Sequence, residues 1–467
     1  MQYNTPHIHL FKTPGGYYIY DVNRNTIVRT EKSTYEKLKS NSSDLSAVEG
    51  DEDIRELLDR GYLSSNKVEE IEHHATSMLG FYLENKVSAL TLQLTQQCNL
   101  RCEYCVYSGS YHNRGHANNR MSRETALKAI DFLFTHSKDA KRLNIGFYGG
   151  EPLLEFKLIK ECMEYAMKKS EGKLLTFGIT TNGTLLNDEI ADFFEKHDVS
   201  VLISLDGPKE IHDKNRKQNI SGCGSFDTIM ENLGKLRERH PAYMKKVSFS
   251  VVVDPTSNYT CVDKFFTSYE LVKDSKKVSS LISSRYAKNE TAAQDSFIKE
   301  RNYEVFKVYL HKLGRLDVKH TSVLAIDEYN RLKNLHDTSL IPAKSLSRKE
   351  HHGGPCIPGV SRFFVNAKGD FYPCERVSET SDMMKIGSVD TGFDLESVDR
   401  ILNIGRLSKE SCRNCWAFRL CYVCVSMADD LTQLSGEKKI SNCRNVRRST
   451  EQQFKNYCTL REFGHAF

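Results

Sequence analysis

From about residue 86 to residue 315 the chain alternates between short apolar runs of strand character and longer segments of helical period. That alternation restricts it to few folds. Strand-like stretches fall at residues 89–95, 143–148, 174–180, 201–205 and 247–253. Between them, residues 123–134, 158–168, 188–197 and 226–239 repeat apolar positions three and four apart, as one buried helix face requires. Strand–helix–strand succession supplies the long crossovers that parallel pairing needs. A parallel sheet is therefore expected, open or closed into a barrel. A last strand is expected within residues 276–286 and a helix over 295–313. In such a sheet, functional side chains gather at the C-terminal strand ends.

Other patterns flank this core. Residues 7–11, 17–21 and 26–29 read as three strands, with Gly15-Gly16 as a turn, followed by helices over 31–38 and 52–58. This is a winged-helix-like module, about residues 1–85. A charged bridge, about 316–352, leads to a cysteine-rich C-terminal domain, about 353–467, which opens on a hairpin over 361–366 and 369–374. His73-His74 reads as a solvated pair near a linker. A net charge of +5 over 467 residues does not argue for nucleic acid. No apolar run has the length of a membrane span, and Met1-Gln2-Tyr3-Asn4-Thr5-Pro6 has no signal-peptide pattern. A cytoplasmic protein is expected. Fourteen cysteines are many for a reducing compartment; eleven of them fall into two groups, which favours metal over disulfides. The isolated Cys162, Cys223 and Cys261 read as packing residues.

The first group is Cys98, Cys102 and Cys105, in a C-x3-C-x2-C spacing directly after the strand at 89–95. Structural zinc takes four ligands. A four-iron cluster also usually takes four thiolates, so three leave one iron open. Gly149-Gly150-Glu151-Pro152 follows the next strand, and glycines let backbone approach closely. Thr180-Thr181-Asn182-Gly183-Thr184 ends the one after, with hydroxyl and amide groups suited to ribose. Ser204-Leu205-Asp206-Gly207-Pro208 ends the fourth, and Arg216 lies twelve residues past Ser204.

These motifs, in this order, resemble the radical S-adenosylmethionine (SAM) enzymes. The resemblance implies a partial (β/α)6 barrel and a [4Fe-4S] cluster on Cys98, Cys102 and Cys105, whose open iron chelates SAM. Reductive cleavage of SAM there gives a 5′-deoxyadenosyl radical that abstracts a substrate hydrogen. By the same resemblance, Gly149, Gly150 and Glu151 face the SAM amino group and Tyr104 the adenine. Ser204 and Arg216 would hold the carboxylate, a charge-assisted contact.

The second group runs Cys356, Cys374 (as Gly369-x4-Cys374), Cys412, Cys415, Cys421, Cys424, Cys443 and Cys458. It resembles the SPASM extension of radical SAM enzymes, although the last spacing is C-x2-C where C-x3-C is usual. That extension carries up to two further [4Fe-4S] clusters, three in all. By resemblance Cys356, Cys374 and Cys424 would bind an inner cluster, and Cys412, Cys415, Cys421 and Cys443 an outer one. Sulfatase-maturing enzymes have one more cysteine before the Gly-x4-Cys, absent here, so the inner cluster would have an open iron for Cys458 or a substrate thiol. Trp416 would shield the outer cluster. Glu375 stands where those enzymes carry a catalytic aspartate, and a glutamate can serve as the base.

The expected function is thus a radical SAM/SPASM maturase of ribosomally made peptides, installing a thioether crosslink from a cysteine. The resemblance implies a precursor peptide whose leader adds to the N-terminal module as an edge strand, and an electron donor, either a reductase or a flavodoxin or ferredoxin. Formylglycine formation on sulfatases, carbon–carbon crosslinking and a non-enzymatic zinc scaffold are the alternatives.

Overall fold

The computed structural model describes residues 5–41, 50–170 and 172–467. Residues 1–4, where a signal peptide was not expected, lie outside it. The central feature is a ten-stranded sheet. Six parallel strands form its larger part, in the spatial order Lys276–Leu281, Ser248–Val253, Ser200–Ser204, Leu174–Thr181, Arg142–Gly149 and Ala89–Thr95. Each expected strand is present. Side-chain oxygens start three of the intervening helices: Ser122 accepts from Thr125 N, Asn187 from Ile190 N and Asn258 from Cys261 N. Ile130 and Leu133, Phe194, and Ile229 and Leu233 of the further helix Phe226–Arg239 are buried in one core with sheet residues Leu92, Phe147, Ile203 and Phe249.

The sheet does not stop at the barrel. Phe363–Val365 pairs in parallel with Ala89–Thr95, with Phe363 opposite Leu90 and Val365 opposite Leu92. The antiparallel strands Asp370–Tyr372, Gly387–Ser388 and Gly392–Phe393 extend it further. Phe363, Phe364 and Phe371 are fully buried and belong to the same apolar core as the barrel. The cysteine-bearing hairpin is therefore continuous with the SAM-motif strand.

At the N-terminus, Ile8–Thr13, Gly16–Asp21 and Thr26–Thr30 form an antiparallel sheet in chain order, followed by helices Lys32–Ser40 and Glu52–Asp59. Alternation along the middle strand serves two cores. Tyr18 and Tyr20 meet Phe454 and Tyr457 of the last helix, Cys443–Glu462, and Tyr329 and Leu332 of the bridge helix, Ile326–Asn334. Ile19 meets Leu38, Ile54 and Leu57 of the two small helices.

Two sequence expectations fail. Cys223 and Cys261 are exposed rather than packed; only Cys162 is buried. His73 is buried rather than solvated: its ring stacks on His74 and its Nδ1 accepts from Ala75 N at 3.1 Å.

Candidate active site

The strand Ala89–Thr95 delivers the chain into the three-cysteine loop at the C-terminal edge of the sheet. A short antiparallel pair then forms between Leu100–Cys102 and Arg216–Gln218, with Arg216 directly opposite Cys102. That pairing brings residues 114 positions apart together. Each sulfur of the triad meets an N–H donor. Leu100 N lies 3.3 Å from Cys98 Sγ, Asn182 Nδ2 3.8 Å from Cys98 Sγ, Arg216 Nη1 3.9 Å from Cys102 Sγ and Tyr107 N 3.5 Å from Cys105 Sγ. Such N–H···S contacts stabilise thiolate ligands.

Burial pushes the Cys98 thiol up to about 12, the Leu100 amide counters it, and Glu151, Cys102 and Cys105 add to it. Burial likewise pushes Cys102 up to about 11, with the Arg216 cation opposing and Cys105 adding. These groups are neighbours and are neutral in the metal-free chain. Deprotonation therefore needs a positively charged group to bind them, as metal coordination provides. Among the described residues no three His, Cys, Asp or Glu side chains close on one point as a single ion demands. A four-iron cluster is itself several atoms wide and takes its thiolates further apart.

Gly149 and Gly150 have a specific reason to be glycine. Gly149 has φ +144°, and a Cβ there would sit 2.2 Å from the Thr95 carbonyl oxygen; at Gly150 it would sit 2.1 Å from that of Gln97. Gly150 N donates to Thr95 O and Glu151 N to Gln97 O, both at 2.8 Å. The close approach these glycines allow is thus made by the chain's own backbone, which locks the cysteine loop to the neighbouring strand end. Glu151 is fully buried. Its carboxylate accepts from Thr181 Oγ1 at 2.8 Å, Leu153 N at 3.0 Å and Asn182 N at 2.7 Å. Burial raises it to about 7 against these donors. Asn182 Nδ2 also donates to Asn99 Oδ1 at 2.8 Å, tying the third strand end to the cysteine loop.

Ser204 ends the strand Ser200–Ser204, half-buried, two residues before Asp206. Asp206 is the site residue that the sequence left undecided. Buried, it accepts from Arg216 Nε at 2.8 Å and Nη2 at 3.2 Å, from Val252 N at 3.1 Å and from the Tyr104 hydroxyl. The Arg216 guanidinium lies over the Tyr104 ring, 5.3 Å from its centroid. Tyr104, Arg216, Asp206 and Cys102 thus form one buried unit.

A second polar group, absent from the sequence reading, lies between the triad and the C-terminal hairpin. Arg114 Nε is 2.7 Å from Glu379 Oε1, and both side chains are buried. Gln93 Nε2 donates to Glu379 Oε1 and to the Tyr107 hydroxyl, both at 2.7 Å. The sequence held no local signal for it: Gln93 takes a regular polar place in the alternating strand Ala89-Leu90-Thr91-Leu92-Gln93-Leu94-Thr95.

The C-terminal cysteines separate into two neighbourhoods. Burial pushes Cys374 up to about 11, with Glu375, Cys356 and Cys424 adding their charge. Burial does the same to Cys421, opposed by the Val423 amide and Lys439, with Cys415 and Cys412 adding; Cys443 in turn bears on Cys415. Arg285 Nη1 lies 3.8 Å from Cys424 Sγ, and Lys439 Nζ 3.2 Å from Cys412 Sγ. Cys458 is buried in the cluster that holds Phe11, Tyr18, Phe454 and Cys412, and that contains none of Cys356, Cys374 and Cys424. Glu375 pairs with Arg362 at 2.9 and 3.3 Å near the surface. Trp416 stacks on His9 of the N-terminal sheet, with centroids 3.7 Å apart.

Residues 92–267 match the family model described as the radical SAM superfamily. The chain carries a radical SAM domain. The chain is 26% identical over 347 residues to a cysteine-type anaerobic sulfatase-maturating enzyme of Clostridium perfringens, covering 72% of this chain and 87% of that one. It is 36% identical over 143 residues to a serine-type anaerobic sulfatase-maturating enzyme of Bacteroides thetaiotaomicron, covering 30% and 34%. It is 26% identical over 201 residues to the radical SAM cyclopropyl synthase TigE of Paramaledivibacter caminithermalis, covering 40% and 41%. Its fold superposes on native anSMEcpe with bound AdoMet with a TM-score of 0.54, at 22% identity, over 79% of this chain and 99% of that one. The same enzyme is also solved with AdoMet and a Cp18Cys peptide. A radical SAM domain implies a [4Fe-4S] cluster and SAM, and the chain is a radical SAM enzyme related to sulfatase maturases and peptide-modifying enzymes. No helix among the described residues is long and apolar enough to cross a membrane.

Proposed function

We propose that this enzyme matures a ribosomally made peptide by joining a substrate cysteine to carbon through a thioether. SAM held at Cys98, Cys102 and Cys105 supplies, on reductive cleavage, a 5′-deoxyadenosyl radical. Tyr104, the Gly149–Gly150–Glu151 turn, Asn182, Ser204 and Arg216 frame the site where it binds. Asp206 fixes Arg216 and Tyr104.

The observation that carries the thioether reading is the inner cysteine group. Cys356, Cys374 and Cys424 influence one another, Cys458 lies elsewhere, and so three thiols are left where a four-iron cluster takes four. A substrate thiolate fits that vacancy. With Cys412, Cys415, Cys421 and Cys443 on the outer group, the chain would hold three [4Fe-4S] clusters, the last two in a SPASM domain over about 353–467. Glu375 is the candidate base for the thiol proton; 5′-deoxyadenosine would carry off the carbon-bound hydrogen atom, and the inner cluster would take the one electron left over as the carbon–sulfur bond forms. The N-terminal sheet with its two helices, about residues 1–85, is read as a winged-helix-like leader-recognition module in front of the barrel, 86–315, and the bridge, 316–352. A flavodoxin, a ferredoxin or their reductase would deliver the electron. Fourteen free cysteines suit the cytoplasm.

Formylglycine formation has the similarity to the sulfatase-maturating enzymes in its favour. Mass spectrometry of a precursor peptide encoded beside this chain and co-expressed with it separates the readings. A crosslink removes two hydrogens and retains the sulfur. Conversion of cysteine to formylglycine loses the sulfur and overturns the proposal.

A further inference from the structure

Lys439 is a charge in the wrong place for a metal-free protein. It lies on the short helix Gly436–Ser441, which Ser435 caps by accepting from Lys438 N at 3.1 Å. Gly436 lets that helix press on the turn Ile404–Ser408: a Cβ there would stand 2.5 Å from the Leu407 carbonyl oxygen. The contact drives Lys439 inward until only 2% of the residue is exposed. Its ammonium donates to Ser408 Oγ at 2.7 Å and to Cys412 Sγ at 3.2 Å, and Ser408 Oγ is itself 3.2 Å from that sulfur. Among the described residues no carboxylate pairs with Lys439. The other cations that reach candidate ligand sulfurs are placed differently: Arg216 is neutralised by Asp206, Arg285 is only half-buried, and Arg447, which reaches Cys415, is exposed to solvent.

A buried ammonium without a counter-charge costs several kcal/mol, and proteins avoid one unless something anionic completes it. Lys439 also bears on Cys421, a second thiol of the outer group. Cys443, a third, lies four residues further along the chain. The missing counter-charge is therefore expected among those sulfurs.

We propose that Lys439 is the built-in counter-charge of the outer auxiliary cluster and sets its reduction potential through the Lys439–Cys412 N–H···S bond. This rests on the reading that Cys412, Cys415, Cys421 and Cys443 hold a four-iron cluster. Such a cluster gains one negative charge when it takes one electron. A fixed positive charge at hydrogen-bond distance stabilises the reduced form more than the oxidised one, and hydrogen bonds to cluster sulfurs tune potentials in this way. Lys439 is thus a positioning and tuning residue: it contacts a ligand, not the substrate.

The test is a redox titration, followed by electron paramagnetic resonance, of the full-length chain reconstituted anaerobically, with iron counted for each sample. In K439M one cluster should have its reduced-to-oxidised ratio lowered about tenfold at a given potential, equivalent to about 59 mV for one electron. The other signals should stay in place, and K439R should stay close to the wild type. Equal midpoints in fully loaded K439M and wild type overturn the inference. Loss of about four irons in K439M but not in K439R supports it. The same loss in both variants assigns the lysine a role of shape and overturns it. A wild-type chain holding only about four irons defeats the auxiliary-cluster reading first, and this inference with it.

Discussion

Breaking the Arg216–Asp206 pair should cost far more than either side chain is worth, and removing both partners should return much of the loss. Asp206 and Arg216 side chains are 2% and 8% exposed, with Nε and Nη2 both on the carboxylate. D206A leaves a guanidinium buried without its anion; R216M leaves the carboxylate without its cation. Breaking a buried pair from one side costs about 3–5 kcal/mol, whereas apolar replacement of both sides is often close to neutral. If the two changes acted independently, the double variant would lose about 6–10 kcal/mol, most of a typical folding free energy. In D206A/R216M the remaining losses are acceptors for the Tyr104 hydroxyl and Val252 N. Unsatisfied groups of that kind cost about 1–3 kcal/mol. Two such groups leave about 2–6 kcal/mol lost in the double variant against about 6–10 kcal/mol for independent changes, so the expected coupling energy is on the order of 4 kcal/mol. Urea titration of the metal-free protein measures it. Far-UV circular dichroism would follow the barrel, and the emission of Trp416, the one tryptophan, would follow the region around Cys415. Free energies that add across the two sites within about 0.5 kcal/mol would refute the reasoning.

Other expectations follow from the same geometry. G149A places a Cβ 2.2 Å from the Thr95 carbonyl oxygen at a φ few side chains adopt. It should abolish iron binding at Cys98, Cys102 and Cys105, measured as loss of about four irons per chain after reconstitution, while the outer domain keeps its own. Glu151, raised to about 7 from 4.5 by burial, binds a proton more tightly folded than unfolded. Stability of the metal-free protein should thus fall as pH rises from about 4.5 to about 7, by on the order of 3 kcal/mol. E151Q should flatten that slope; an unchanged slope would place the titration elsewhere. Replacing Cys356, Cys374 and Cys424 together by alanine should lower reconstituted iron from about twelve to about eight atoms per chain, and unchanged iron would empty the inner site.

Much of this was legible in the sequence because the signals were local. Strand and helix periods carried the six parallel strands, and cysteine spacing carried the triad. What remained hidden depended on distant pairing. Asp206 stands undecided between a turn residue and a site residue until Arg216–Gln218 pairs with Leu100–Cys102 and swings the guanidinium back onto it. Arg114 and Glu379 are 265 positions apart and meet only because the C-terminal hairpin joins the sheet. Lys439 stands in a polar run, Gly436-Glu437-Lys438-Lys439, that reads as solvated; its burial follows from Gly436 against Leu407. His73 went the same way, covered by His74 and His351 from a remote segment.

The pairing of Phe363–Val365 with Ala89–Thr95 also bears on how such enzymes can be recombined. A chain cut before the hairpin would lay open the backbone edge of Leu90, Thr91 and Leu92 in the strand that feeds the cysteine loop, and an open apolar edge invites pairing with other chains. A donor domain grafted on must match that strand residue for residue, since a slip of one would turn Phe363 and Val365 to the opposite face. New substrate range is therefore better sought in the loops that this shared sheet carries than by exchanging its halves.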